Sequence, residues 1–113
     1  ILNVHEGPVS ISKRGKTGVK EGHILSNEPG YYEEGQFGIR HETLVHVTAA
    51  HYGYLKFETL TCFPFDRQLI NKAYLSCGHI TWLNAYHQFV YDRLAPHIET
   101  HVRRWLADRC APL

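Results

Sequence analysis

The chain has 113 residues, 43% of them hydrophobic and 20% charged, and a formal net charge of +1 with histidine neutral. That length suits one compact domain or a portion of a larger protein. The near-neutral balance excludes a bulk electrostatic pull toward nucleic acid or a membrane surface, and no apolar run approaches the roughly 20 residues that span a bilayer.

In chain order, residues 1–12 read as extended, with an interruption at Gly7-Pro8 and alternation over Val9-Ser10-Ile11-Ser12. The chain opens on the apolar run Ile1-Leu2-Asn3-Val4, as a strand cut in mid-domain would, so the C-terminal portion of a longer protein is expected. Residues 13–22 form a loop in which Lys13, Arg14, Lys16 and Lys20 are solvated among glycines. A strand is predicted over 23–28, a turn-rich connection over 29–37 and a long strand, rich in Thr and Val, over 38–49. Tyr54 to Phe63 alternates as a further strand, and Pro64 ends it. Residues 66–75 are irregular or briefly turned.

Then the period changes. Ser76 is a good N-cap, and Ile80, Leu83, His87, Val90 and Leu94 follow as one stripe, with Trp82, Tyr86 and Phe89 beside it. This spacing predicts a helix over 77–94, disrupted by Pro96. A shorter helix fits 98–109, with Val102, Trp105 and Leu106 inward. The expected class is α+β, with antiparallel strands over 1–63 and a helical hairpin over 64–113. Cys62, Cys77 and Cys110 are far apart and form no CxxC, which favours free thiols and a reducing compartment, hence a cytoplasmic location.

Two carboxylates stand out. Glu28 is followed by the strand-breaking Pro29-Gly30, and Glu42 lies on the next predicted strand, level in alternation with Arg40, Leu44 and His46. If the two strands pair antiparallel, Glu28 and Glu42 converge, with Arg40 on the same face as Glu42. Two carboxylates beside a guanidinium make half of a hard-metal site, although surface acids on a hairpin are common and Arg40 could pair with either one. His41-Glu42-Thr43-Leu44-Val45-His46 mimics the zinc-protease HExxH motif but holds one residue too many, and on a strand its two histidines face opposite sides. His5 sits where a strand ends at Gly7-Pro8, a position from which a side chain can project into a cleft. His79, His87, His97 and His101 have no carboxylate at ligand spacing and read as structural.

Ser26-Asn27-Glu28-Pro29-Gly30-Tyr31-Tyr32, then Gly35 and Phe37-Gly38-Ile39-Arg40-His41-Glu42, resemble the C-terminal signature of aminopeptidase P, the Xaa-Pro aminopeptidase of the pita-bread metallopeptidases. Leu2-Asn3-Val4-His5-Glu6-Gly7-Pro8 is similar to the segment just upstream in that family. Phe57-Glu58-Thr59-Leu60-Thr61, Trp82-Leu83-Asn84-Ala85-Tyr86-His87, Trp105-Leu106 and Ala111-Pro112-Leu113 resemble the extension of its longer, eukaryotic-type cytosolic form.

The resemblance implies that residues 1–63 are the C-terminal portion of a pita-bread catalytic domain and that 64–113 are a helical extension contributing to a homodimer. It implies removal of the N-terminal residue from peptides with proline in second position. The family's dinuclear centre uses two Asp, one His and two Glu, usually with Mn2+. Glu28 corresponds to the Glu on one ion and Glu42 to the Glu that bridges both. Arg40 and Tyr32 correspond to residues beside the metals, and His5 to a histidine that contacts substrate and assists proton transfer. Hard carboxylate ligands agree with such an ion. The other three ligands precede Ile1, so these 113 residues alone are expected to be inactive and to hold no metal. Thr43 stands where relatives often carry Asn, and Gly78 where they tend to have polar helix formers. A catalytically dead pita-bread module that binds peptides, and a prolidase-like dipeptidase, are the alternative readings; the extension after residue 64 argues against the dipeptidase.

Overall fold

A computed structural model describes residues 7–113, which divide into two units, the first ending at Thr61 and the second running from Cys62 to Leu113. In the first unit the alternation that predicts strands produces two antiparallel sheets. Strand β1 (Ile24–Asn27) pairs with β4 (Thr43–Ala49), and β4 with β5 (Leu55–Thr59), giving the order β1-β4-β5. Between β1 and β4 in sequence, β2 (Gly30–Glu33) and β3 (Phe37–Arg40) form a separate two-stranded sheet. Along β4, Thr43, Val45 and Val47 are buried while Leu44 is exposed, the period of two expected of a strand with one covered face.

Several boundaries differ from expectation. The predicted 38–49 strand is two strands, broken at His41-Glu42, and the predicted strand through residue 28 stops at Asn27. Pro29, which has no N–H to give to a ladder, supplies the cause. Its carbonyl instead accepts from His41 N at 3.2 Å, which closes a corner where one sheet hands over to the other. The expected connection over 29–37 is mostly a hairpin: only residues 34–36 turn, with Gly35 at φ +71° and Gln36 N–H donating to the Glu33 carbonyl. The strand predicted to reach Phe63 ends at Thr59, and residues 9–12 form no strand.

In the second unit two short 3-10 turns, Arg67–Leu69 and Lys72–Tyr74, lead to helix α1 (Cys77–Leu94). Ser76 caps it: its hydroxyl accepts from His79 N–H, and the His79 ring accepts from Ser76 N–H in return. Helix α2 (Thr100–Arg109) begins two residues later than predicted, after a 3-10 turn that contains Pro96. Tyr86, Val90, Leu106 and Cys110 form the core of this unit, with Phe65, Phe89, Tyr91, Leu94 and Ile98 packed around them. Trp105, expected inward, is 45% exposed; its neighbour Leu106 takes the inward direction. His101 does have an acidic partner, the exposed Glu99 at 3.3 Å. All three cysteines are free.

The Trp82–His87 motif has a structural account. Trp82 stacks on Tyr86, the Tyr86 hydroxyl donates to the Phe63 carbonyl at 2.9 Å, and the Asn84 side chain accepts from Leu113 N–H at 2.8 Å. Arg67 adds a clamp by donating to the Asp108 and Pro112 carbonyls at the end of α2.

His87 is fully buried beside the Phe65 and Tyr86 rings, and neither ring nitrogen has a hydrogen-bond partner. Burial first, and the nearby Arg67 charge second, hold its pKa below the usual histidine value. Unfolding releases the imidazole to titrate near 6.5, so below that pH the unfolded chain binds more protons than the folded one. The contribution of His87 to stability is therefore fully present above about pH 6.5 and is lost as pH falls further. Urea denaturation at pH 7.5 and 5.5 is expected to show a smaller acid penalty for His87→Leu than for the parent chain. Equal penalties would rule His87 out as the source.

Candidate metal-ligand site

The site is built at the corner between the two sheets. The last pair of the β1–β4 ladder is Asn27 opposite Thr43. One step beyond it the chain reaches Glu28 on one side and Glu42 on the other, so the register brings the two carboxylates to the same end of the sheet. Neither residue is itself in a strand, contrary to the sequence expectation; the corner lifts both out of the ladder. On the far side of the corner, Gly30 pairs with Arg40 at the start of the second ladder.

Arg40 joins these parts. Its Nη1 donates to Glu28 Oε2 at 2.9 Å, and its Nε donates to the Tyr32 hydroxyl at 2.8 Å. The sequence left open which carboxylate Arg40 would pair with, and the hydrogen bond goes to Glu28. The other carboxylate oxygen, Oε1, accepts from the Ser26 hydroxyl at 2.7 Å. The guanidinium, a cation at any accessible pH, is held still further above its usual range, first by the hydrogen bond to Tyr32 and more weakly by the Glu28 and Glu42 charges. Both carboxylates therefore lie within electrostatic reach of one cation.

The seat of Tyr32 explains two glycines. Tyr32 stands opposite Gly38 in the β2–β3 register, and its ring lies across both Gly30 and Gly38. A Cβ on Gly38 would come within 2.7 Å of Tyr32 Cδ1, and one on Gly30 within 2.6 Å of the Tyr32 hydroxyl. Only hydrogen at these positions lets the ring lie flat and present its hydroxyl to Arg40. The pattern of glycines around paired tyrosines was visible in the sequence; their function as a ring seat was not.

A cavity of about 770 Å³ opens beside this corner, lined in part by Val9, Ile11, Ser26, Glu28, Tyr32 and Arg40. Its wall thus combines apolar side chains with a carboxylate and a guanidinium. His5 lies outside the described residues. Among the described residues no group of three or more His, Cys, Asp or Glu side chains is placed to hold a metal ion. The two carboxylates at this corner, Glu28 and Glu42, are hard donors of the kind that suits a divalent cation. Also among the described residues, no helix is long and apolar enough to cross a membrane.

Comparison with known proteins matches the sequence and the fold to a family. Residues 1–49 match metallopeptidase family M24, and residues 53–113 match the C-terminal region of peptidase_M24. Aminopeptidase P2 of Arabidopsis thaliana is 44% identical over 122 residues, covering 99% of this chain and 17% of that protein. A probable Xaa-Pro aminopeptidase P of Coprinopsis cinerea is 40% identical, covering 99% of this chain and 20% of that protein. The crystal structure of X-prolyl aminopeptidase from Caenorhabditis elegans, described as a cytosolic enzyme with a di-nuclear active site, superposes with a TM-score of 0.83 at 34% identity. That match covers 99% of this chain and 20% of the nematode protein. The chain thus spans about a fifth of the length of the relatives it matches. Its antiparallel sheets and C-terminal helix pair are those of the pita-bread aminopeptidase fold. With both of its segments matched, the chain belongs to metallopeptidase family M24 and resembles the Xaa-Pro aminopeptidases within it.

Proposed function

We propose that these residues are the part of a Xaa-Pro aminopeptidase that supplies two of its metal-binding carboxylates. The whole protein removes the N-terminal residue from peptides with proline in second position. The observation that carries this reading is the Asn27–Thr43 register, which brings Glu28 and Glu42 to the same end of the sheet, both within electrostatic reach of Arg40. In this reading Glu28 and Glu42 would help to hold two divalent ions, with Mn2+ as the native metal. When bound, the ion pair activates water and polarises the peptide carbonyl. Arg40, which also bonds the Tyr32 hydroxyl, holds Glu28 in place, and His5 contacts the substrate. Two Asp and one His from elsewhere in the protein complete the ligand set.

A cytosolic location and a homodimer belong to the same reading. The exposed rings of Phe63, Trp82 and Trp105 on the C-terminal unit support the dimer contact. Two carboxylates are too few donors for two ions, so the 113 residues by themselves bind Mn2+ weakly and turn over no substrate.

The test uses the complete protein and an Arg-Pro-Pro peptide, with Arg-Ala-Ala and an Ala-Pro dipeptide as comparators. Release of arginine from the first peptide alone is expected, abolished by a chelator and restored by Mn2+. Preference for the dipeptide would support a prolidase-like activity instead, and tight peptide binding without cleavage a binding module. Robust Mn2+-dependent cleavage by the isolated 113 residues would contradict the ligand count.

A further inference from the structure

We infer that Ser26 is a positioning residue for the metal-binding carboxylate of Glu28; the inference rests on the proposed reading of Glu28 as a ligand. A glutamate side chain turns freely about its terminal bond unless both oxygens are engaged. Here both are engaged. Arg40 Nη1 donates to Oε2 at 2.9 Å, and the Ser26 hydroxyl donates to Oε1 at 2.7 Å. Two donors on two oxygens define the plane of the carboxylate, and the loss of either removes one of the two bonds that set that plane.

Ser26 is well placed for this. It lies on β1, fixed opposite Leu44 in the ladder, and extended backbone turns residues i and i+2 to the same face. Glu28 follows two residues later, one step past the end of the strand, and the hydroxyl reaches its carboxylate directly. A serine hydroxyl is short, so its oxygen follows the backbone closely. It is also neutral. It orients the carboxylate without adding positive charge that would compete with a bound cation, as a second arginine would. An ionised carboxylate offers about four lone-pair sites, so the two hydrogen bonds from Ser26 and Arg40 do not by themselves fill it. Partners that orient metal ligands in this way typically contribute 10–100-fold to metal affinity.

The test is direct metal binding by the complete protein, measured as Mn2+ affinity in a competition titration with a fluorescent chelator. Melting of the metal-free protein is followed in parallel. Ser26→Ala is expected to weaken Mn2+ binding by about 10–100-fold while leaving metal-free melting within a few degrees of the parent. Ser26→Thr, which keeps the hydroxyl on a strand-favouring side chain, restores affinity. Ser26→Val, of the same shape without the hydroxyl, does not. This Thr and Val pair gives the same comparison should the alanine variant fail to fold. Affinities of Ser26→Ala and Ser26→Val within twofold of the parent would overturn the inference. Glu28→Gln separates it from the reading beneath it. If Glu28→Gln loses metal and the Ser26 variants do not, only the role of Ser26 falls. If Glu28→Gln binds metal as the parent does, Glu28 is not a ligand and both fall.

Discussion

Leu106→Ala is expected to lower the unfolding free energy of the C-terminal unit by about 2–5 kcal/mol. The side chain is 2% exposed and sits with Tyr86, Val90 and Cys110 in the centre of the helix pair. Truncation removes three buried carbons and leaves a void that two helices joined by a short turn cannot easily close. The unit is small, so a loss of this size is a large share of its stability. Trp105, one residue earlier, is the control. It is the larger side chain, but it is 45% exposed, and its contacts include the Phe63 ring and the Arg109 guanidinium. Trp105→Ala should therefore cost less than Leu106→Ala, although size alone predicts the reverse. Urea unfolding followed by far-ultraviolet circular dichroism compares the two. A Leu106→Ala loss below that of Trp105→Ala would show that the helices pack on Trp105 instead.

The contrast between these neighbours shows what the sequence could and could not specify. Helix α1 was legible to the residue because its signals agree: a serine cap, a stripe at helical spacing and a proline just beyond. In α2 the apolar residues Trp105 and Leu106 are adjacent, about 100° apart around the axis, and only the partner helix decides which of them is inward. Strand β4 was legible from alternation, but the break before it was not. Nothing on the 38–49 segment itself stops a strand; the interruption comes from Pro29 on the opposite side of the ladder, a neighbour known only once register is fixed. The site shows the same division. The placing of Glu28 and Glu42 at the same end of the sheet followed from strand pairing. The pairing of Arg40 with Glu28 depends on the corner between two sheets, and the seating of Tyr32 over Gly30 and Gly38 depends on a cross-strand contact, neither of which has a local signature.

Arg40→Ala in the complete protein is expected to lower metal affinity or activity by about 10–100-fold, with little change in the melting of the metal-free protein. The two halves of this expectation have different origins. The Arg40–Glu28 pair is open to solvent on the arginine side, and exposed ion pairs contribute little to folding because water and salt screen them. Orientation is another matter. One guanidinium bonds Glu28 through Nη1 and Tyr32 through Nε, and its charge also reaches Glu42. Its removal takes one hydrogen bond from the carboxylate and one from the phenol, so a bound ion must do more of the ordering itself. Arg40→Lys should recover little of the loss. A lysine keeps the charge, but its ammonium is a point donor and lacks the planar fork that meets two partners at fixed angles. Tyr32→Phe removes one arm of the fork and keeps the bond to Glu28, so its effect should fall between that of the parent and that of Arg40→Ala. Mn2+ titration of the three variants, read beside their metal-free melting curves, checks the order. Full recovery by lysine would mean that charge alone, and not the geometry of the fork, is what Arg40 supplies.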